Sequence, residues 1–220
     1  MVHSLTVGAF ASNCYLLAQE QTGLALVIDP GDEAPRIAAT LRENRLKPAL
    51  YLLTHGHMDH VSGLAELAEK WPVPIALHPA DARWAFTEAN AMPPYYDTPR
   101  APRAIDRDLA EGQTWTDLGL RYQVMETPGH SPGSVSFYFP DLHILFPGDV
   151  LFAGAVGRTD LPGGHAPTLW NSLQKLMQLP PDTVVYPGHG PATTLARERA
   201  SNPYLKSPRW SHFPTPGGVG

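Results

Sequence analysis

The feature that most constrains this chain is a cluster of three histidines and one aspartate in a single short segment. His55, His57, Asp59 and His60 follow the apolar run 49–53, which predicts a buried strand. Residues two apart in an extended chain face the same way, so His55 and His57 can approach one ion from the same side. Asp59 and His60 then face a second position, where another ion could bind. One segment can therefore serve two metal ions.

Three further potential ligands, His130, Asp149 and His189, each lie beside a glycine later in the chain. Glycine turns present a side chain at the end of a strand without helical crowding, so these residues can converge. The one cysteine, Cys14, cannot build a thiolate cage and is predicted to be a small core residue. Imidazole and carboxylate together suit zinc, iron or manganese. Seven such ligands are too many for one four-coordinate structural zinc, and two adjacent ions fit better.

The elements around these residues predict an α/β chain. Strand-like and helix-like runs alternate, but hairpin-like neighbours occur in both halves, so we expect mixed sheets covered by helices rather than a parallel barrel. The expected strands lie at 4–7, 13–18, 24–28, 49–53, 73–77, 120–126, 134–139, 143–146 and 183–186, and the expected helices at 35–46, 61–70 and 168–179, with others opening near 79 and 193.

The periodic pattern disappears between Thr87 and Asp108, where four prolines and the pair Tyr95 and Tyr96 occur. A loop of this length in a compact domain is usually a lid or a binding segment, and a loop that only covers the core is the alternative. We expect the two tyrosines to seal the edge of the core rather than to line a cleft.

Composition limits the class of protein. A chain of 220 residues, 43% hydrophobic and 17% charged, suits one globular domain over 1–220. A net charge of −5 offers no footprint for a phosphate backbone, so no nucleic-acid partner is expected. No apolar run approaches the roughly 20 residues of a membrane helix, and the first residues lack the order of a signal peptide. We therefore expect a cytoplasmic protein with no membrane partner, as a monomer or homodimer.

The combined motifs resemble the metallo-β-lactamase superfamily. The resemblance rests on the histidine string preceded by Thr54, on Asp29 after the third strand, and on the later histidines and aspartate in their order. It spans nearly the whole chain and implies an αββα sandwich of two mixed β-sheets with a dinuclear centre at the sheet edges. It implies that Asp29 steadies the site. The implied ligands of the first metal are His55, His57 and His130, and those of the second are Asp59, His60 and His189, with Asp149 bridging.

Four short segments, 148–152, 156–160, 186–190 and 202–204, are similar to glyoxalase II-like hydrolases within that superfamily. Those relatives are thioesterases that act on hydroxyacyl thioesters such as lactoylglutathione. The resemblance implies a small-molecule thioester substrate and two divalent ions, with zinc expected first and iron or manganese as alternatives. A metal-bridging hydroxide would attack the thioester carbonyl, and Asp59 would orient it as the catalytic residue.

Two residues depart from the glyoxalase II pattern. Arg158 occupies the place where a family lysine meets the glutathione carboxylate, which makes it the expected substrate-binding residue. Asp160 stands where a family tyrosine would help to bind glutathione. Its carboxylate would repel the carboxylate of the substrate unless another cation intervenes. The two residues can instead pair with each other. The residues after His189 leave no room for the helical C-terminal domain of full-length glyoxalase II, so we expect none.

Other reactions stay open at this point. The string 157–160 also occurs in persulfide dioxygenases, which bind a single iron through two histidines and one aspartate, here His55, His130 and Asp149. A lactonase or another ester hydrolase of the same fold is a further alternative. A non-catalytic sensor is disfavoured because no ligand is missing. The Pro-Gly-His-Gly sequence at His189 favours the thioester hydrolase.

Overall fold

The first half of the chain forms a six-stranded mixed sheet in the computed structural model, which describes residues 1–206. The part of the expected domain at 207–220 lies outside the described residues. The strands are β1 (Val2–Val7), β2 (Ser12–Gln19), β3 (Leu24–Ile28), β4 (Lys47–Leu52), β5 (Ile75–Leu77) and β6 (Arg107–Asp108). Their order in space follows the sequence, with β1 to β3 antiparallel and β3 to β6 parallel.

The second half forms another mixed sheet of six strands and a separate small hairpin. The strands are β7 (Thr114–Asp117), β8 (Leu120–Glu126), β9 (Val135–Phe139), β10 (Ile144–Gly148), β11 (Leu151–Phe152), β12 (Ala155–Val156), β13 (Val184–Pro187) and β14 (Thr193–Thr194). The sheet order is β14-β13-β10-β9-β8-β7, and β11 pairs with β12 in the hairpin. Only the β10–β13 pair of these described strands is parallel.

The helices are short, and several differ from the predicted spans. They are α1 (Ala34–Glu43), α2 (Met58–Val61), α3 (Leu64–Lys70), α4 (Pro79–Ala82), α5 (Ala166–Leu176), α6 (Leu195–Ser201) and α7 (Pro203–Lys206). The helix predicted over 61–70 is divided at Gly63, whose amide donates to the Pro30 carbonyl at 3.0 Å. A side chain at Gly63 would press on that carbonyl, so glycine permits the contact. No helix among residues 1–206 combines the length and apolarity needed to cross a membrane.

Strand β2 shows why the two sheets stack face to face. Cys14 and Leu16 pack on the side of α1 and α3, whereas Tyr15 and Leu17 pack toward the second sheet. Successive strand residues point to opposite faces, so a strand buried on both sides must be apolar almost throughout. Cys14 is fully buried, which confirms it as a core residue.

Three apolar layers give the molecule its architecture. One lies between the first sheet and α1 with α3, a second lies between the two sheets, and a third lies between the second sheet and α5 with α6. The layer order is therefore helix, sheet, sheet, helix, which confirms the predicted αββα sandwich.

The candidate site lies where strands of both sheets end. The loop after β3 begins with Asp29, and the loop after β4 carries His55. In the second sheet, Asp149 follows β10 and His189 follows β13. Parallel strands bring their carboxyl ends to one edge, which is where α/β sheets commonly bind ligands.

Phe137 provides a test of the layer between the sheets, because its side chain is fully buried there. We expect Phe137→Ala to lower the free energy of unfolding by about 3–5 kcal/mol, since it leaves a cavity between two sheets that cannot collapse. Urea denaturation followed by circular dichroism measures the change. Leu142→Ala is the control, because Leu142 is 42% exposed and should change stability by less than about 0.5 kcal/mol. Equal effects of the two substitutions would contradict the layer assignment.

Candidate metal centre

Three buried histidines, His55, His57 and His130, converge on one position. One ring nitrogen from each lies within 4.8 Å of the others. His57 Nδ1 and His130 Nε2 face each other at 2.8 Å, and His55 Nε2 has no hydrogen-bond partner among the described residues. A buried polar atom left without a partner costs free energy, so such an arrangement suits a cation at the meeting point. Neutral imidazole is also a common metal ligand.

A second group of three residues, Asp59, His60 and His189, meets close by. One ligand atom from each lies within 4.8 Å of the others. His189 Nε2 lies 3.2 Å from Asp59 Oδ2 and 3.3 Å from His60 Nε2. Two nitrogens and one carboxylate oxygen form a donor set that suits zinc, iron or manganese.

Asp149 lies between the two groups. Its Oδ2 atom is 3.6 Å from His130 Nε2 and 3.3 Å from His189 Nε2. Its Oδ1 atom is 3.4 Å from His60 Nε2 and lacks a hydrogen-bond partner within the described chain. One carboxylate therefore reaches both groups, so the seven residues form a continuous centre that fits two adjacent ions.

The outward ring nitrogens are held by oxygen atoms. His130 Nδ1 lies 2.8 Å from the Arg158 carbonyl and His189 Nδ1 lies 3.1 Å from the Phe10 carbonyl. A carbonyl only accepts hydrogen bonds, so these Nδ1 atoms carry the proton. The Nε2 atoms of both rings therefore present lone pairs to the centre in the neutral state, as metal ligation requires.

Asp29 fixes the backbone beneath the centre. Its Oδ1 accepts a 2.7 Å hydrogen bond from the Thr54 amide, and its Oδ2 accepts one of 2.6 Å from the Thr54 hydroxyl. Oδ2 also lies 3.1 Å from His60 Nδ1. These bonds offset the cost of a left-handed φ of 49° at a residue that is not glycine. Asp29 lies near His55 and His60 as well, but its oxygens are already engaged.

Burial keeps two of the histidines neutral. Burial, with added repulsion from the neighbouring His130, lowers the pKa of His57 to about 3. Burial and the neighbouring His60 hold the pKa of His55 well below its ordinary value. These rings are ready to accept a cation without first losing a proton.

The two histidines at the other end of the centre have pKa shifts in the opposite direction. Burial opposes the charged forms of His60 and His189, but the nearby carboxylates outweigh it and raise their pKa values to about 9 and about 11. The same imidazolium charges keep the pKa values of Asp59 and Asp149 low despite burial. Ligand histidines must be neutral, so loading this end with metal releases protons.

The start of β2 joins the two sheets at the centre. The Ser12 hydroxyl donates to the Asp59 carbonyl at 2.6 Å, and the backbone N–H of Asn13 donates to the Gly188 carbonyl at 2.7 Å. The Tyr15 hydroxyl donates to the Pro187 carbonyl at 2.6 Å. The first sheet therefore holds the loop that carries the last histidine of the second sheet.

Sequence reasoning missed Asp81, a fully buried carboxylate on α4. Its Oδ2 accepts from the Gly56 amide at 2.8 Å and the Ser131 hydroxyl at 2.6 Å, and its Oδ1 accepts from the Gly133 amide at 2.7 Å. Burial raises its pKa, although these hydrogen bonds oppose that change. Asp81 thus ties the loop of the first histidines to the loop that follows His130.

Asn90 was also missed, and it braces the same histidine loop. Its Nδ2 donates to the Gly56 carbonyl at 2.8 Å and the Ala85 carbonyl at 2.6 Å, and its Oδ1 accepts from the Met58 amide at 3.2 Å. A single polar residue in a proline-rich loop has no spacing signal. The 87–108 segment, whose last two residues form β6 instead of the predicted loop, therefore contributes directly to the site.

A cavity of about 490 Å³ opens over the centre. Phe10 and Met92 form part of its wall, and Arg158 lies at its margin. Tyr96 is buried and packs on Phe10, with ring centroids 5.2 Å apart, so it seals the core edge as expected. Tyr95 is 61% exposed, so the same expectation is wrong for it, and neither tyrosine is among the residues that line this cavity. The 87–108 segment thus covers the core through Tyr96 and lines the cavity through Met92.

Arg158 is engaged with Asp160 rather than free. Its Nε and Nη2 atoms donate to the two carboxylate oxygens of Asp160, each at 2.7 Å. The hydrogen bonds from Arg158 lower the pKa of Asp160 to about 2. Both side chains are mainly exposed. The alternative that these residues pair with each other is the one the structure shows.

The fold and the centre agree with the comparisons to known proteins. Residues 7–189 match the family described as the metallo-beta-lactamase superfamily, and the chain belongs to it as a metallo-hydrolase. A Bacillus subtilis (strain 168) relative named probable metallo-hydrolase YqgX is 39% identical, over 91% of this chain and 95% of its own. A Haemophilus influenzae relative named hydroxyacylglutathione hydrolase GloC is 34% identical, over 94% and 98% respectively. The crystal structure of TTHA1623 in a di-iron-bound form is 41% identical with a TM-score of 0.84, and the match covers 92% of this chain and 100% of that one.

Asp81 provides a test of how the histidine loops are held. The Asp81 carboxylate accepts hydrogen bonds from three donors. In Asp81→Asn the side-chain N–H₂ would face at least one of these donors, so a buried donor would lose its acceptor. We expect a loss of about 1–3 kcal/mol in unfolding free energy and weaker metal retention. Denaturation and elemental mass spectrometry after dialysis measure the two effects. Asp182→Asn is the control, since the Asp182 side chain is 64% exposed. Unchanged stability and metal retention in Asp81→Asn would contradict the bracing role.

Proposed function

We propose that this chain is a dinuclear metal-dependent hydrolase that cleaves a thioester of the hydroxyacylglutathione type. The observation that carries the proposal is the continuous centre, in which Asp149 approaches both groups of ligands. The relative named hydroxyacylglutathione hydrolase GloC, similar over nearly its whole length, supports the reaction class.

The proposed ligands are the residues that converge. The first ion would be held by His55, His57 and His130, the second by Asp59, His60 and His189, and both by Asp149. We propose zinc first, and the di-iron relative supports iron as the alternative. Bound ions would lower the pKa of a water molecule to near neutral and polarise the thioester carbonyl.

The side chains then position the reactants. In the proposed reaction Asp59 orients the attacking water, because its carboxylate lies at the floor of the cavity and its backbone is fixed by Ser12. The leaving thiolate needs little help from a general acid. Cys14 is no candidate nucleophile, because it is buried in the helix-side core and burial raises its pKa.

The proposed biological setting is that of a small-molecule enzyme. The cavity of about 490 Å³ is of the size that small ligands occupy. The net charge of −5 supports a protein without a nucleic-acid partner. We propose a cytoplasmic monomer or homodimer with no membrane partner.

The test combines metal content and activity on one preparation. We expect about two metal ions per chain by elemental mass spectrometry in protein purified without added metal, together with hydrolysis of lactoylglutathione. One iron per chain with oxygen uptake on glutathione persulfide would replace the proposal with a dioxygenase. Metal without either activity would shift the proposal to other esters or lactones.

The ligand assignment has its own test. We expect His57→Ala and Asp149→Ala each to abolish hydrolysis and reduce metal content, while circular dichroism stays that of the folded protein, because both residues lie on loops. His143→Ala is the control, since His143 is half exposed and pairs only with Asp182 among the described residues. Substantial activity in either ligand variant would rule out the dinuclear proposal.

The Arg158–Asp160 pair predicts how an anionic substrate binds. Asp160→Asn removes the competing carboxylate, so we expect a several-fold lower KM for lactoylglutathione with little change in kcat. Arg158→Ala should raise KM. An unchanged KM in both variants would contradict a substrate-binding role for Arg158. Arg121→Ala is the control, because Arg121 makes a similar exposed pair with Asp141 on the second sheet.

A further inference from the structure

A second cavity, of about 290 Å³, opens beside the cavity over the metal centre. We refer to it as the side pocket. Its volume is near the lower end of the range for small-ligand sites. Most of its wall consists of apolar side chains from five segments: the histidine loop, the turn after α4, the 87–108 segment, the loop after His130 and the loop after Arg158. They are Met58, Trp84, Met92, Pro132, Leu161 and Pro162.

The side pocket is continuous with the metal centre. His57, Met58, Met92 and Leu161 line both cavities. The His57 ring packs against Trp84 with centroids 5.2 Å apart, so one ring contacts the centre on one side and the pocket on the other. A group attached to a carbonyl at the centre can therefore extend into the pocket.

Two of the three lining side chains with polar atoms are already engaged at the side pocket. The three are His57, Asn90 and Trp84, whose indole carries one N–H donor, and no Asp, Glu, Lys or Arg is among the lining residues. Asn90 uses its amide nitrogen and oxygen on three backbone groups, and His57 Nδ1 faces His130. A polar substituent placed there would lose water and gain few partners, whereas an apolar one would gain free energy.

We propose that the side pocket binds the acyl chain of the substrate and that this chain is apolar, an alkyl or aryl group larger than lactoyl. The proposal rests on the proposed thioester hydrolysis. Arg158 gives the direction, because this guanidinium, although paired with Asp160, lines the metal cavity and not the side pocket. Biological thiol carriers bear carboxylates or phosphates, so the thiol half belongs on the arginine side. The acyl half then points into the apolar pocket.

The kinetic test varies the acyl chain while the thiol stays constant. The substrates are acetyl, butyryl and octanoyl thioesters of N-acetylcysteamine, assayed with the metal-loaded protein. We expect kcat/KM to rise by at least about tenfold from acetyl to octanoyl, because each buried methylene contributes up to about fourfold. The acetyl thioester of octanethiol should show no such gain. A gain that follows the thiol chain instead would overturn the assignment of the pocket to the acyl half.

Variants place the effect at the side pocket. Ala89→Trp puts a large ring at an exposed residue on its rim, so the octanoyl advantage should be lost while acetyl hydrolysis is retained. Trp84→Ala removes one wall and should reduce the advantage as well. Ala110→Trp, at an exposed residue that does not line the pocket, is the matched control. An octanoyl preference that survives Ala89→Trp would overturn the proposal.

A binding measurement separates this proposal from the proposed function. S-octyl and S-methyl N-acetylcysteamine are thioethers that cannot be hydrolysed, and calorimetry on the purified protein should show the octyl compound bound at least about tenfold more tightly. Ala89→Trp should remove the difference. Tight octyl binding without any thioester hydrolysis would support the apolar pocket while contradicting the hydrolase. Hydrolysis that is equal for all acyl chains, with equal binding of both thioethers, would overturn the pocket and leave the hydrolase in place.

Discussion

The structure depends on holding seven polar ligand residues close together inside an apolar sandwich. Two pairs of ring nitrogens face each other, at 2.8 Å and 3.3 Å, and two carboxylates lie among them. Nearby carboxylates raise the pKa values of His60 and His189 at one end, while burial lowers that of His57 at the other. Such crowding is tolerable only on a rigid frame. The backbone around the centre is therefore fixed by buried hydrogen bonds from residues that are not ligands.

That frame has contributions from both sheets. Asp29 accepts a hydrogen bond from the backbone amide of Thr54. Asp81 accepts hydrogen bonds from the backbone amides of Gly56 and Gly133, which lie in the loops of the first and second sheet respectively. Close approach adds to the restraint, because a side chain at Gly188 would collide with the Asp149 carboxylate. These hydrogen bonds and close contacts restrain the loops that carry the ligands, which is what a precise ligand geometry requires.

Much of this could be predicted from the sequence, for a physical reason. Strand alternation and glycine-flanked ligands are local signals, so the three opening strands, the mixed sheets with covering helices and the convergence of the seven residues were accessible, whereas the αββα layer order came from the family resemblance. Asp81 and Asn90 were not, because their partners are backbone groups distant in sequence and single polar residues carry no period. The break at Gly63 was missed for the same reason, since it depends on a contact with Pro30. The pairing of Arg158 with Asp160 could be stated only as an alternative to substrate binding by Arg158. The sequence does not determine the side-chain rotamers on which an exposed ion pair depends.

The bonds between β2 and the last ligand loop have a consequence for biosynthesis. Asn13 donates to the carbonyls of Pro187 and Gly190 across 174 and 177 positions of sequence. Contacts of this separation form late, after the intervening chain has been made and collapsed. Strand β2 can therefore make these contacts only after the residues up to Gly190 have been synthesised. His189 is consequently the last of the seven ligand residues to be made, so its group with Asp59 and His60 is completed after the group of His55, His57 and His130.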